Sequence, residues 1–168
     1  RTHNQLLEEV KCATDKLGVD NLEFLDFKDL HVPFSFKSVS ELDKIIQRYK
    51  VDTIYTHWAG DSNQDHIATF KSTMAAARYV RNVYCYEQIP IPRLSENEMK
   101  INYYIDISDY MEDKIEVAKC HESQIKKYNK VGFDVPSRLR VLAEFRGIQA
   151  NCKYAEGFHI IKKVENGC

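Results

Sequence analysis

Residues 61–66 read DSNQDH, and they follow an apolar run and a glycine. Carboxylates, amides and an imidazole are gathered within six positions. Such a set can bind a metal, orient a water or move a proton, and it can equally serve only to start a helix. Asn63 has the side chain of an N-cap, which would put Asp65 and His66 in a first helical turn. There the positive end of the helix dipole disfavours imidazolium, so His66 stays neutral and able to bind a metal. A neighbouring acid or amide can then orient its ring or a bound water. Asp, Ser and Asn are also the ordinary capping residues, so on spacing alone the cap and the site both stand. A calcium loop is a third reading, because Asp61, Asn63 and Asp65 occupy the first three ligand positions of an EF-hand. It fails where His66 replaces the required glycine and Ser72 the bidentate glutamate.

The elements that position this stretch follow from periodicity. Leu6, Val10, Ala13 and Leu17 recur at helical spacing and Gly18 stands where a C-cap glycine belongs. LEFLDF (22–27) predicts a strand whose carboxyl end leads to His31. Ser40 and Asp43 resemble a capping pair before a helix face of Leu42, Ile45, Ile46 and Tyr49. VDTIYTH (51–57) predicts a strand ending at His57, and Ile67, Phe70, Met74 and Ala77 mark the helix after DSNQDH. NVYCYE (82–87) and NYYIDI (102–107) predict two further strands, separated by the proline-containing loop QIPIPRLSENEM. Ser108 or Asp109 would cap a long helix with Met111, Ile115, Ala118 and Ile125 inward. Asp134 and Pro136 open another with Leu139, Leu142 and Phe145 inward. FHIIKKV closes the chain as an edge strand. Strands alternating with helices predict an α/β, Rossmann-like fold with a mainly parallel sheet flanked by helices. In that architecture ligands collect outside the carboxyl ends of the strands, where DSNQDH lies.

Bulk properties narrow the classes. A chain of 168 residues with 43% apolar content fits one domain with one core. A net charge of -1 without a basic tract gives no electrostatic footprint for nucleic acid. No apolar run approaches the roughly 20 residues of a transmembrane helix. Five cysteines stand singly, without metal-knuckle spacing or disulfide-scaffold density, which points to reduced thiols and a cytoplasmic location.

YTHWAGDSNQDHIATFKSTMAAAR (55–78) resembles the third-motif region of the LmbE-like, or PIG-L-like, family of zinc-dependent N-acetyl-sugar deacetylases. That region commonly reads Tyr-Thr-His, then Asp-x-Asn-x-Asp-His, then a helix ending in Ala-x-Arg. LLEEVKCATDKLGVDNLEFLDFKD (6–29), YIDISDYMEDKIEVAKCHESQ (104–124) and RGIQANCKYAEGF (146–158) extend the resemblance in the same order. It implies a Rossmann-like fold with zinc at the sheet's carboxyl edge, and hydrolysis of the N-acetyl group of an amino sugar or glycoconjugate. His66 matches the third zinc ligand. The family's other two ligands and its general base come from an N-terminal His-Pro-Asp-Asp motif that occurs nowhere in these residues. The expectation is a single deacetylase domain over 1–168, truncated before Arg1, and a chain inactive on its own. A non-catalytic sugar-binding or scaffold version of the fold is the alternative.

The resemblance also distributes roles. Asn63 stands where many relatives carry a catalytic histidine, and as an amide it can donate a hydrogen bond without supplying a proton. A bound water or His57 must then protonate the leaving amine. Asp65 orients the loop or a cationic partner, or caps the helix. His57 lines the pocket, Asp61 faces substrate hydroxyls or caps the loop, and Trp58 offers a face to a sugar ring or covers the core. Glu156 pairs with Arg146 or shapes the site. Homo-oligomer contacts would use the proline-containing loop.

Overall fold

A computed structural model describes residues 3–89 and 98–167. The first helix, α1 (His3–Leu17), stops where its sequence says it should. Gly18 takes φ +66°, its N–H bonds the carbonyl of Asp15, and Val19 N–H reaches back to Thr14 O at 3.0 Å. This double closure satisfies carbonyls that the last turn would leave free. LEFLDF then departs from expectation: residues 19–28 form no strand, and Leu22 and Phe24 are exposed. A strand needs a partner ladder, and here Phe27 N–H turns locally to Leu25 O at 2.9 Å.

The remaining elements are α2 (Phe36–Tyr49), β1 (Thr53–Thr56), α3 (Gln64–Ala76), β2 (Asn82–Tyr86), β3 (Tyr103–Asp106), α4 (Met111–Lys119), α5 (Glu122–Asn129), α6 (Val135–Ala150) and β4 (Ala155–Lys162). The four strands form one sheet of order β1-β2-β4-β3. β1 and β2 run parallel, with Thr53 opposite Asn82 and Thr56 opposite Cys85, whereas β2 and β4 run antiparallel, with Tyr86 opposite Phe158. The sheet is therefore mixed. FHIIKKV is corrected from an edge to an interior strand, begun three residues earlier at Ala155. Small buried residues, Ala155 and Gly157, and the buried Phe158 let it take neighbours on both sides. Contacts divide the chain into two compact units, Arg1–Phe24 with Ile105–Glu156, and Leu25–Tyr104 with Gly157–Cys168.

In the first unit, Ile107, Met111, Ile115, Ala143 and Tyr154 form a buried cluster with Ile105 and Leu139 against it. The expected single long helix is two. α4 ends in short-range bonds, Cys120 N–H to Val117 O and His121 N–H to Ala118 O. Ser123 then gives both its N–H and its hydroxyl to the carboxylate of Glu9, each at 2.7 Å. Glu9, only 6% exposed, thus satisfies the first turn of α5 from α1. Neither Ser108 nor Asp109 caps α4: Ser108 turns its hydroxyl to Asp106 and accepts Tyr154 N–H. Cys12 and Cys120 form a disulfide. That bond corrects the expectation of five thiols and removes cysteine usage as an argument for a reducing compartment. In α6 the inward positions are Leu139, Ala143 and Gly147, one helical face, and Phe145 lies off it and is exposed. Glu156 pairs with Lys114 rather than with Arg146.

In the second unit, α2 starts earlier than expected. Ser35 caps it and Ser38 completes the reciprocal box, so Ser40 and Asp43 lie inside the helix, where Asp43 accepts from Gln47. α2 and α3 meet through small polar residues, with Ser38 Oγ 3.0 Å from Ser72 Oγ in a buried contact. Ala77, Val80 and Val83 form the adjoining core, packed by Ile46, Ile54 and Met74. The loop at 29–32 is clamped by Asp65, whose carboxylate accepts Leu30 N–H at 2.6 Å and Val32 N–H at 3.1 Å. The proline-containing loop lies, at 90–97, outside the described residues. Among the described residues no helix is long and apolar enough to cross a membrane.

Two variants test these constraints by urea denaturation. A Cβ on Gly147 would sit 2.6 Å from Lys153 O and 2.7 Å from Cys152 O, both backbone atoms. Gly147→Ala should therefore cost about 1–3 kcal/mol, the range for forced overpacking. Asp65→Ala should cost about 3 kcal/mol by leaving loop amides without their charged acceptor, and should speed proteolysis between residues 28 and 36; an unchanged cleavage rate would remove the clamp from the account.

Candidate active site

The carboxyl end of β1 delivers His57 and Trp58, and the first turn of α3 delivers Asp65 and His66. Asn63 is the cap: its Oδ1 accepts Asp65 N–H at 2.9 Å. Fixing Oδ1 there turns the amide nitrogen toward His66, with Nδ2 3.2 Å from Nε2. A donor amide requires a lone pair on Nε2, so the His66 proton sits on Nδ1 and is donated to Asp61 Oδ2 at 2.7 Å. The other oxygen of Asp61 accepts Asn63 N–H at 2.8 Å. Cap, carboxylate and imidazole therefore form one closed set, in which the residues that start the helix also orient the imidazole.

His57 stacks on His66, ring centroids 4.0 Å apart and planes within 6°. Its Nδ1–H is given to Gln88 Oε1 at 3.1 Å, and the Tyr86 hydroxyl lies 3.2 Å from Nε2. Burial pushes the His57 imidazole below its ordinary value, and the adjacent His66 acts the same way, against the Gln88 hydrogen bond and Asp61. A neutral ring is what a close parallel stack with a second imidazole needs. Burial, with Asp61 and Cys85 adding to it, raises the Tyr86 phenol to about 12, so it is a donor throughout the physiological range. Cys85, also raised to about 12 by burial, is an inert core thiol.

The expected site residues thus separate by what they touch. His57, Asp61, Asn63 and His66 come together. Asp65 is beside them in sequence, but both its oxygens hold loop amides. Trp58 packs edge-on against His159 at 5.0 Å and against Phe70 at 6.5 Å. His31 is exposed, with Nδ1 3.2 Å from Asp29 O, and His121 stands at the junction of α4 and α5. Tyr86 and Gln88 were not singled out from the sequence. The signal was available: Tyr86 ends β2, the strand parallel to β1, and Gln88 follows it by two residues, so the rule that points to His57 points to them as well.

The donor set can be tested against zinc. The one nitrogen lone pair of His66, on Nε2, accepts from Asn63 Nδ2 and would have to exchange that amide for a metal, while its other nitrogen is on a carboxylate, as in a metal-binding histidine with its orienting acid. Among the described residues no three His, Cys, Asp or Glu side chains converge on one point. The fit is that of one ligand with its support, and a three-ligand catalytic site requires further donors.

Residues 2–77 match the family model described as PIG-L: GlcNAc-PI de-N-acetylase. A diacetylchitobiose deacetylase of Thermococcus kodakarensis is 26% identical over 174 residues, an alignment covering 94% of this chain. The chain spans 63% of the length of that curated relative. Among solved structures, the conserved protein TT1542 from Thermus thermophilus superposes with a TM-score of 0.80 at 18% identity, over 99% of this chain and 77% of that one. The N,N'-diacetylchitobiose deacetylase of Pyrococcus horikoshii gives 0.73 at 22%, over 94% and 63%. GalB, a 4-carboxy-2-hydroxymuconate hydratase from Pseudomonas putida, gives 0.69 at 22%, over 98% and 75%. The fold is thus shared with a hydratase too, and fold likeness alone leaves the reaction open. The DSNQDH block that carries the resemblance lies within the matched residues 2–77, and over that stretch the chain is similar to the PIG-L family.

Proposed function

We propose that this chain, as one domain over 1–168, is part of a zinc-dependent hydrolase that removes the N-acetyl group from an amino sugar or its conjugate. The observation that carries the reading is the placement of His66 at the start of α3, its Nδ1 held by the 2.7 Å bond to Asp61 and its Nε2 met by the Asn63 amide, a neutral donor that a metal would displace. The family match and the deacetylase activity named for the Thermococcus relative support the same reaction class.

His66 Nε2 is the metal ligand in this reading. Bound there, zinc supplies Lewis acidity toward water and toward the amide carbonyl. Asp61 holds the imidazole tautomer and ring direction, which occupies both its oxygens and makes it an orienting group. His57, braced by Tyr86 and Gln88, keeps the His66 ring from tilting and lines the pocket. Asn63 Nδ2 is a neutral donor beside the ligand, placed to stabilise developing negative charge on the amide oxygen. It cannot deliver a proton to the leaving amine, so that proton comes from another group. Asp65 positions the loop, and Trp58 presents a ring edge beside the site.

Acetate release from N-acetylglucosamine and diacetylchitobiose by the full-length protein is the measurement. Chelation should abolish it and added zinc restore it. Asn63→Ala should lower kcat by about 10²–10³, the range for loss of one oxyanion donor. His66→Ala should lose both activity and stoichiometric zinc. Chelator-insensitive acetate release, or full activity in His66→Ala, would sink the proposal.

A further inference from the structure

α1 meets the α4–α5 junction along three rungs. Glu9 accepts two hydrogen bonds of 2.7 Å from Ser123, Cys12 is bonded to Cys120, and Lys16 Nζ lies 3.8 Å from Glu116 Oε2. Residues 9, 12 and 16 share one helical face, and their partners at 123, 120 and 116 run the opposite way. The rungs hold unequally. The Lys16–Glu116 pair is exposed at both ends and holds weakly. The Glu9 bonds last only while α5 stays against α1, and α5 contributes no fully buried side chain to keep it there. The disulfide, the middle rung, is the covalent one.

Its two ends differ in access: Cys120 is buried, whereas Cys12 is exposed. Both line a cavity of about 420 Å³, which also presents the carboxylates of Glu8, Glu9, Glu116 and Glu122 against the ammonium groups of Lys16 and Lys119. A small thiol can therefore reach the bond, and the surplus of carboxylates favours a cationic thiol over an anionic one. We propose that Cys12–Cys120 is a redox clasp on α5: a small thiol entering this cavity opens it, and the first turn of α5 then comes away from Glu9. The incoming thiolate attacks Cys12 Sγ and forms a mixed disulfide, while Cys120 leaves as a thiolate and takes up the proton that the reagent lost. A second thiol displaces Cys12 in the same way. Two thiols thereby give up two electrons and become one disulfide, and the protein gains two thiols.

The test uses the full-length protein, air-oxidised and then treated with cysteamine or with glutathione. Alkylation with mass spectrometry counts the thiols, and hydrogen exchange reads the amides of α5. Cysteamine should free Cys12 and Cys120 together and speed exchange over residues 122–126 about tenfold, with α3 unchanged, as expected for opening one local unit. Reoxidation should reverse the change. Cys12→Ser should exchange fast from the start and not respond to thiol. With each rate divided by that thiol's rate on a small reference disulfide, cysteamine should remain faster than glutathione, and high salt should narrow the gap. Equal exchange in the oxidised and reduced protein overturns the clasp, leaving a bond that controls nothing. Faster exchange throughout the chain, α3 included, overturns it in favour of a general staple. Free Cys12 and Cys120 in the air-oxidised protein, or equal corrected rates for the two thiols, also overturn it. Should Cys12→Ser fail to fold, the oxidised and reduced wild type still decide.

Discussion

The start of α3 has free amides to satisfy, and the way it satisfies them sets almost everything around it. Asn63 takes the Asp65 amide with its oxygen, which commits its nitrogen to His66. Asp61 takes the Asn63 amide with one oxygen and the His66 ring with the other. Capping and imidazole orientation are therefore one hydrogen-bond network, and no member can be changed without redirecting another. The same turn reaches outward through Asp65 and Gln64 to fix the backbone of the loop at Leu30. A helix terminus has become the reference frame for both the candidate metal ligand and the loop at 29–32.

The stack of His57 on His66 adds a second constraint, in the plane of the ring rather than along its nitrogens. Hydrogen bonds at Nδ1 leave an imidazole able to swing about that axis. A parallel neighbour at 4.0 Å, itself held by Gln88 and Tyr86, opposes the swing. Burial disfavours charge on His57 and so keeps the stack free of like-charge repulsion. Rigid support of this kind is what a single ligand requires if its lone pair is to be available in one direction.

The other compact unit relies on a comparable device. Glu9 is a buried carboxylate on α1 that completes the first turn of α5, and the Cys12–Cys120 disulfide joins the same helix to the end of α4. Gly147 allows the backbone at 152–153 to lie close against α6. The start of α5 is thus finished by a group distant in sequence, whereas the start of α3 is finished by its own neighbours.

Local chemistry made much of this legible in advance. Periodicity located α1, α3, α6, β1, β2 and β3, because amphipathic spacing and Gly18, Asn63 and Asp134 act within a few residues of themselves. The DSNQDH block carried the family resemblance and the grouping of His57, Asp61, Asn63 and His66 for the same reason: its members are near neighbours on a strand end and a helix start. What the sequence left undecided depends on partners far along the chain. LEFLDF has strand-forming residues, but a strand exists only if a ladder is there to receive it. FHIIKKV gained neighbours on both sides through pairing that no local pattern announces. The helix after Ser108 divides because Glu9 stands ready to satisfy the break. Asp65 looked like a residue of the site, and only tertiary structure shows its two oxygens spent on loop amides more than thirty positions away. Residue type and short spacing determined which groups could do chemistry; long-range packing decided which of them were already engaged, because a hydrogen-bonding group has few directions to give and the fold fills them first.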